Sequence, residues 1–110
     1  MNLNSHQELE RVYREMDKRI SQKIRENPSL LEIPRSNLKR WISDERSLGR
    51  VSPGLQEWND IFSTHSVDDI LHILDDDSEE SDRLRHSSPF CGILTEEERQ
   101  ELLNHVPSSS

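Results

Sequence analysis

From Leu9 to Ile24, apolar residues recur at steps of three and four: Leu9, Val12, Tyr13, Met16, Ile20 and Ile24. At 100° per residue they fill an arc of about 120°, the pattern of an amphipathic helix and not of a strand. Nowhere in the 110 residues do polar and apolar positions alternate with β-branched enrichment, so no strand is expected. The chain reads as all-α, although alanine, the best helix former, is absent from it. Periodicity and helix punctuation therefore carry the assignment.

That punctuation cuts the chain into short pieces. Ser5 with Glu8 makes a capping box for a first helix from Ser5 to Glu26, which Asn27-Pro28 stops. This helix is long enough to protrude from the rest of the domain. Pro34 suits the first turn of a second helix, running to about Glu45 and preceded by a single turn, with Leu38, Trp41 and Ile42 on one face. Ser47 to Val51 reads as a loop. Ser52-Pro53 caps a third helix that ends near Ser63 and buries Leu55, Trp58, Ile61 and Phe62. Ser66 and Asp69 open a fourth, about two turns long, with Val67, Ile70, Leu71 and Leu74. A piece that short is marginal alone, so packing must hold it. Asp77 or Ser78 caps a fifth helix reaching about Ser87, in which only Leu84 is apolar. After a turn at Ser88 to Gly92 that carries Phe90, exposed or as an anchor, Thr95 and Glu98 form the clearest capping box in the chain. They open a helix to about Asn104. The expectation is a single helical domain over 1–106, an irregular bundle of five or six short helices, with 107–110 as a disordered tail.

Leu, Ile, Val and Phe total 27 of 110 residues, just above the level at which charged chains stay disordered. A small core follows. No run of 18 apolar residues offers a membrane span, and no apolar N-terminal stretch offers a secretory signal. A cytoplasmic chain with no membrane association is expected. A single cysteine, Cys91, excludes an internal disulfide framework.

Charge is divided unevenly. Met1 to Arg50 holds 11 Lys/Arg against 8 Asp/Glu, and Val51 to Ser110 holds 3 against 14. Between Ser66 and Asp82 stand eight acidic residues and no basic one. The plainest reading is that the two halves are solvated and attract each other. The sharper one is that the acidic half meets a basic protein surface. On that reading the contact residues are Asp75, Asp76, Asp77, Glu79 and Glu80, with Arg83, Arg85 and Phe90 beside them. One of the two arginines would pair with the acidic run. The other would be left to grip a partner carboxylate in a bidentate contact. Trp41 and Trp58 are candidates for core packing first and partner anchors second. Arg11, Arg14, Lys18 and Arg25 lie within about 60° on the first helix, a stripe that could follow a phosphate backbone. Carboxylates flank it and no aromatic interrupts it, so nucleic-acid binding is expected to be weak.

Catalytic and metal chemistry find little to use. The acidic run lacks the glycine and terminal glutamate of a calcium loop. His86 with Cys91, and His65 with His72, miss tetrahedral zinc spacing. Ser87 and Ser88 beside His86 lack an orienting acid and an oxyanion hole at readable spacing. No cofactor and no enzymatic activity are expected.

Several stretches together do resemble something known: Glu26 to Ile33, Asn37-Leu38-Lys39-Arg40-Trp41, Gln56-Glu57-Trp58, Asp77-Ser78-Glu79-Glu80, and Arg83 through Pro89-Phe90 to Gly92-Ile93-Leu94-Thr95-Glu96-Glu97-Glu98-Arg99. They resemble a group of small bacterial proteins encoded beside nucleotidyltransferase-like toxin genes. Pro34 stands where that group has alanine, and Cys91 where it has a small residue. The resemblance implies an antitoxin, a protein that binds and neutralises a basic toxin enzyme through its acidic C-terminal half. A DNA-binding regulator using the basic N-terminal half, or an accessory subunit of a larger assembly, is the alternative.

Overall fold

The computed structural model describes residues 5–104, with side chains from Gln7 onward. Among them are six α-helices, one 3-10 turn and no strand. The helices are α1 (Ser5–Glu26), α2 (Glu32–Ser47), α3 (Pro53–Thr64), α4 (Val67–Asp75), α5 (Glu79–Arg85) and α6 (Glu96–Asn104); the turn is Pro28–Leu31. The all-α reading holds. The Ser5 cap and the C-terminal tail lie outside the described side chains.

Helix α1 is the spine. Val12, Ile20 and Ile24 are buried along it, and α4, α5, α6 and the 3-10 turn all pack against it. One face of the helix is packed, while Leu9 and Tyr13 near its N-terminal end stay exposed. Helix α2 starts two residues before the expected Pro34. The ring is tolerated there because first-turn N–H groups have no partner within the helix. At its other end α2 runs through Ser47, then stops on Gly49 at φ +94°. Gly49 N–H donates to the Arg46 carbonyl at 3.0 Å and Arg50 N–H to that of Glu45 at 3.2 Å, a Schellman closure that favours glycine.

The capping boxes behave unequally. Thr95 Oγ1 accepts from Glu98 N–H at 3.0 Å while Thr95 N–H donates to Glu98 Oε1 at 2.8 Å, so both halves of the box are made. Ser66 Oγ accepts from Asp69 N–H, and Ser78 Oγ from Ser81 N–H. Ser52 differs from expectation. Its hydroxyl makes no cap bond to α3 and instead donates to Glu45 on α2 at 2.8 Å, tying the two helices across the loop.

The core is Ile20, Ile24, Leu31, Leu38, Ile42, Trp58, Ile61, Ile70, Leu71, Leu74, Leu84, Phe90, Ile93 and Leu94. At its centre Phe90 meets Trp58 edge-on, with ring centroids 5.3 Å apart, and Phe62 closes the trio. Edge-to-face contacts of this kind add to the burial of the rings. Buried Asn37 on α2 holds the turn that delivers Phe90. Its Nδ2 donates to the carbonyls of Pro89 and Cys91, both at 2.9 Å.

Candidate partner-binding surface

The basic and acidic segments meet inside the molecule. Arg14 Nε donates to Asp82 Oδ1 at 2.9 Å, Lys18 Nζ to Asp77 Oδ2 at 3.2 Å, and Arg25 Nη2 to Asp75 Oδ2 at 2.7 Å. Three of the four cations read as a phosphate-binding stripe are thereby joined to the acidic run. Arg11 remains exposed. The reading in which the two halves attract each other describes this face of α1.

Arg85 corrects the expected interface most sharply. Its side chain is 4% exposed. Nε donates to Asp17 Oδ2 at 2.9 Å, Nη1 to Asp82, and Nη2 to the carbonyls of Leu74 and Asp76. It thus ties α1 to α5 and satisfies backbone acceptors at the end of α4, and it is not free to reach a partner. Burial pushes the Asp17 carboxyl up to about 7, against the pull of Arg85. The hydrogen bonds from Arg14 hold the Asp82 carboxyl below its ordinary value. Arg83 makes the bidentate contact expected of it, but within the chain: Nη1 and Nη2 donate to the two oxygens of Glu57 at 2.8 and 2.7 Å. Phe90 is 1% exposed and belongs to the core, so it cannot be a surface anchor. Trp58 is also core, its Nε1–H donating to the Leu84 carbonyl at 2.9 Å. Trp41 is half-buried, beside the His86–Ser88 turn.

Several of the acidic-run residues line a cleft of about 680 Å³ between α3, α4 and α5. Glu57, Asp75, Asp76 and Glu80 stand on its walls, and Ile61, Ile73 and Leu84 make its apolar lining. His65 and His72, far from zinc spacing in the chain, both line it. Asp77 points instead to Lys18 on α1, and Glu79 is exposed outside the cleft. Asp76 accepts from Ser78 and Ser81, which fixes it at the α5 entrance and lowers its pKa. The hydrogen bonds from Arg83 lower those of Glu57 and Glu80. All three therefore stay ionised well below neutral pH. Glu57 was not legible as a site residue, because its place beside α5 depends on how α3 packs. Chemically the cleft can take a cationic side chain on its walls and the methylene stem of that side chain on its lining.

Among the described residues, no group of three His, Cys, Asp or Glu side chains could hold a metal ion, and no helix is long and apolar enough to cross a membrane. This chain matches no protein-family model, no curated protein and no solved structure.

Proposed function

We propose that this chain is a non-catalytic, antitoxin-like protein that neutralises a basic toxin enzyme by docking it on the α3–α4–α5 cleft. The observation that carries the reading is the cleft itself: four carboxylates stand around an apolar lining and meet only two cations, Arg83 shared by Glu57 and Glu80 and Arg25 on Asp75, which leaves a net negative wall. A net negative field around a low-dielectric lining speeds encounter with an oppositely charged surface. The same internal pairing argues against the nucleic-acid alternative, because Arg14, Lys18 and Arg25 are engaged with Asp82, Asp77 and Asp75.

The test is binding kinetics against the protein that co-purifies with the tagged chain from its native host, at low and physiological salt. Asp75→Asn combined with Glu80→Gln should slow association several-fold at low salt and less at 0.15 M, where screening falls within about 8 Å. Association that is unchanged at both salts would place the interface elsewhere, and persistence of the toxin's activity at saturating chain would overturn neutralisation.

A further inference from the structure

On α2, Arg35, Lys39, Ile42 and Arg46 follow one another at steps of four, three and four, so they form one stripe down the helix. The stripe borders a groove of about 590 Å³ between α2 and α3. Leu38, Ile42 and Phe62 give the groove its apolar surface, Asn59 and Ser63 line its α3 side, and no carboxylate lines it. Lys39 and Arg46 have no ion pair among the described residues. Arg35 touches Glu32 at 3.4 Å and lies over the Phe62 ring at 5.8 Å from its centroid. In a chain of net charge −8, a row of three cations that meets only one carboxylate is a local reversal of field.

We infer that this groove docks an acidic amphipathic helix of a partner protein. The inference goes beyond the cleft described above, because the two surfaces lie on different sides of α3. Glu57, Ile61 and His65 line the cleft, and Asn59, Phe62 and Ser63 line the groove. The two sets average roughly 150° apart around the helix axis. Arg35 to Arg46 spans about 16 Å at 1.5 Å per residue. A helix laid along α2 with carboxylates at matching positions meets all three cations. Its intervening apolar residues then fall on Phe62 and on the methylene stems of Arg35, Lys39 and Arg46, above the buried Leu38 and Ile42, the helix-in-groove mode of recognition. A nucleic-acid strand is the poorer fit. Phe62 is the only aromatic residue in the groove and Arg35 lies over it, so no stacking platform is left.

The test is fluorescence anisotropy with a labelled synthetic helical peptide of about 16 residues. It carries glutamates at the spacing of Arg35, Lys39 and Arg46 and leucines between them. A second peptide has glutamine for glutamate, and a labelled oligothymidine is the third probe. The glutamate peptide should bind saturably with Kd below about 100 μM. It should lose at least about tenfold on Lys39→Gln with Arg46→Gln, and nothing on Asp75→Asn with Glu80→Gln. Equal binding of the glutamine peptide, undiminished binding by the groove variant, or no binding at all would overturn the inference. Tighter binding of oligothymidine, lost in the same variant, would overturn it in favour of a nucleic-acid groove.

Discussion

Helices α1 and α2 each carry a row of cations at helical spacing, and the two rows have opposite fates. Arg14, Lys18 and Arg25 on α1 face α4 and α5 and are joined to Asp82, Asp77 and Asp75. Arg35, Lys39 and Arg46 on α2 face a groove that holds no carboxylate. Side-chain type and spacing are nearly the same in both. What separates them is which element packs alongside, and that is a tertiary fact. A cation row is a binding surface only after its internal partners have been counted.

The largest way to break the paired side of this comparison is to remove its keystone. Arg85 is buried between Asp17 and Asp82 and bonds two backbone carbonyls. Removing one partner of a buried pair leaves an uncompensated charge, which costs about 3–5 kcal/mol. Arg85→Ala is therefore expected to unfold the chain or lower its urea midpoint severely. Phe90→Ala should cost a similar amount, about 3–5 kcal/mol, through the cavity left between Trp58 and Phe62. If Phe90→Ala instead kept its midpoint and lost only partner binding, the packed aromatic trio would be wrong.

A smaller effect should appear with pH. Asp17 rises from an ordinary value of 3.8 to about 7 in the folded chain, because burial disfavours its charge. A proton held more tightly in the folded state stabilises fully below about pH 4, and that contribution is lost as pH rises toward 7. Asp82 and Glu57 act in the other direction. Their lowered values give stability that is present above about pH 4 and lost below it. The parent should melt at a falling temperature from pH 5 to pH 7.5, and Asp17→Asn should flatten that decline. A parent profile that is flat over this range, or an unchanged slope in the variant, would show that Arg85 keeps Asp17 ionised throughout.

The helices were legible in the sequence because their signals are local. The first helix has the expected bounds, and the Thr95–Glu98 box makes both its bonds. The site was legible only in part. Asp75, Asp76 and Glu80 line the cleft, but the sequence run gives no sign that Arg25 and Arg83 fold back onto Asp75 and Glu80. The burial of Arg85 and Phe90 is not legible, because burial of single residues in a loop or a short helix leaves no periodic trace. Phe90 stands in a turn with no amphipathic face to assign it, and the buried Asn37 clamp and the Trp58 and Phe62 rings hold it in the core. Arg85 sits on a helix of seven residues with one apolar neighbour, too short to show which side is inward. Glu57 and the α2 groove depend on the packing of α3 against two different neighbours. No spacing rule encodes that.

The smallest effect separates the two rows most directly. Arg14→Gln removes a part-buried contact to Asp82 while leaving the α1 backbone untouched. About 1 kcal/mol of stability should go with it, a shift of roughly 4–8 °C for a domain of this size. Lys39→Gln with Arg46→Gln removes two cations that make no ion pair within the described chain. Surface changes of that kind stay within about 0.5 kcal/mol, so the melting temperature should hardly move. Thermal melts of the two variants beside the parent, at low salt and again at 0.5 M, decide the matter. Salt should narrow the gap between Arg14→Gln and the parent, since screening weakens the pair in the parent as well. Equal losses in both variants would mean that the α2 cations serve the fold as the α1 cations do. The groove beside them would then be a by-product of packing and not a surface held open for a partner.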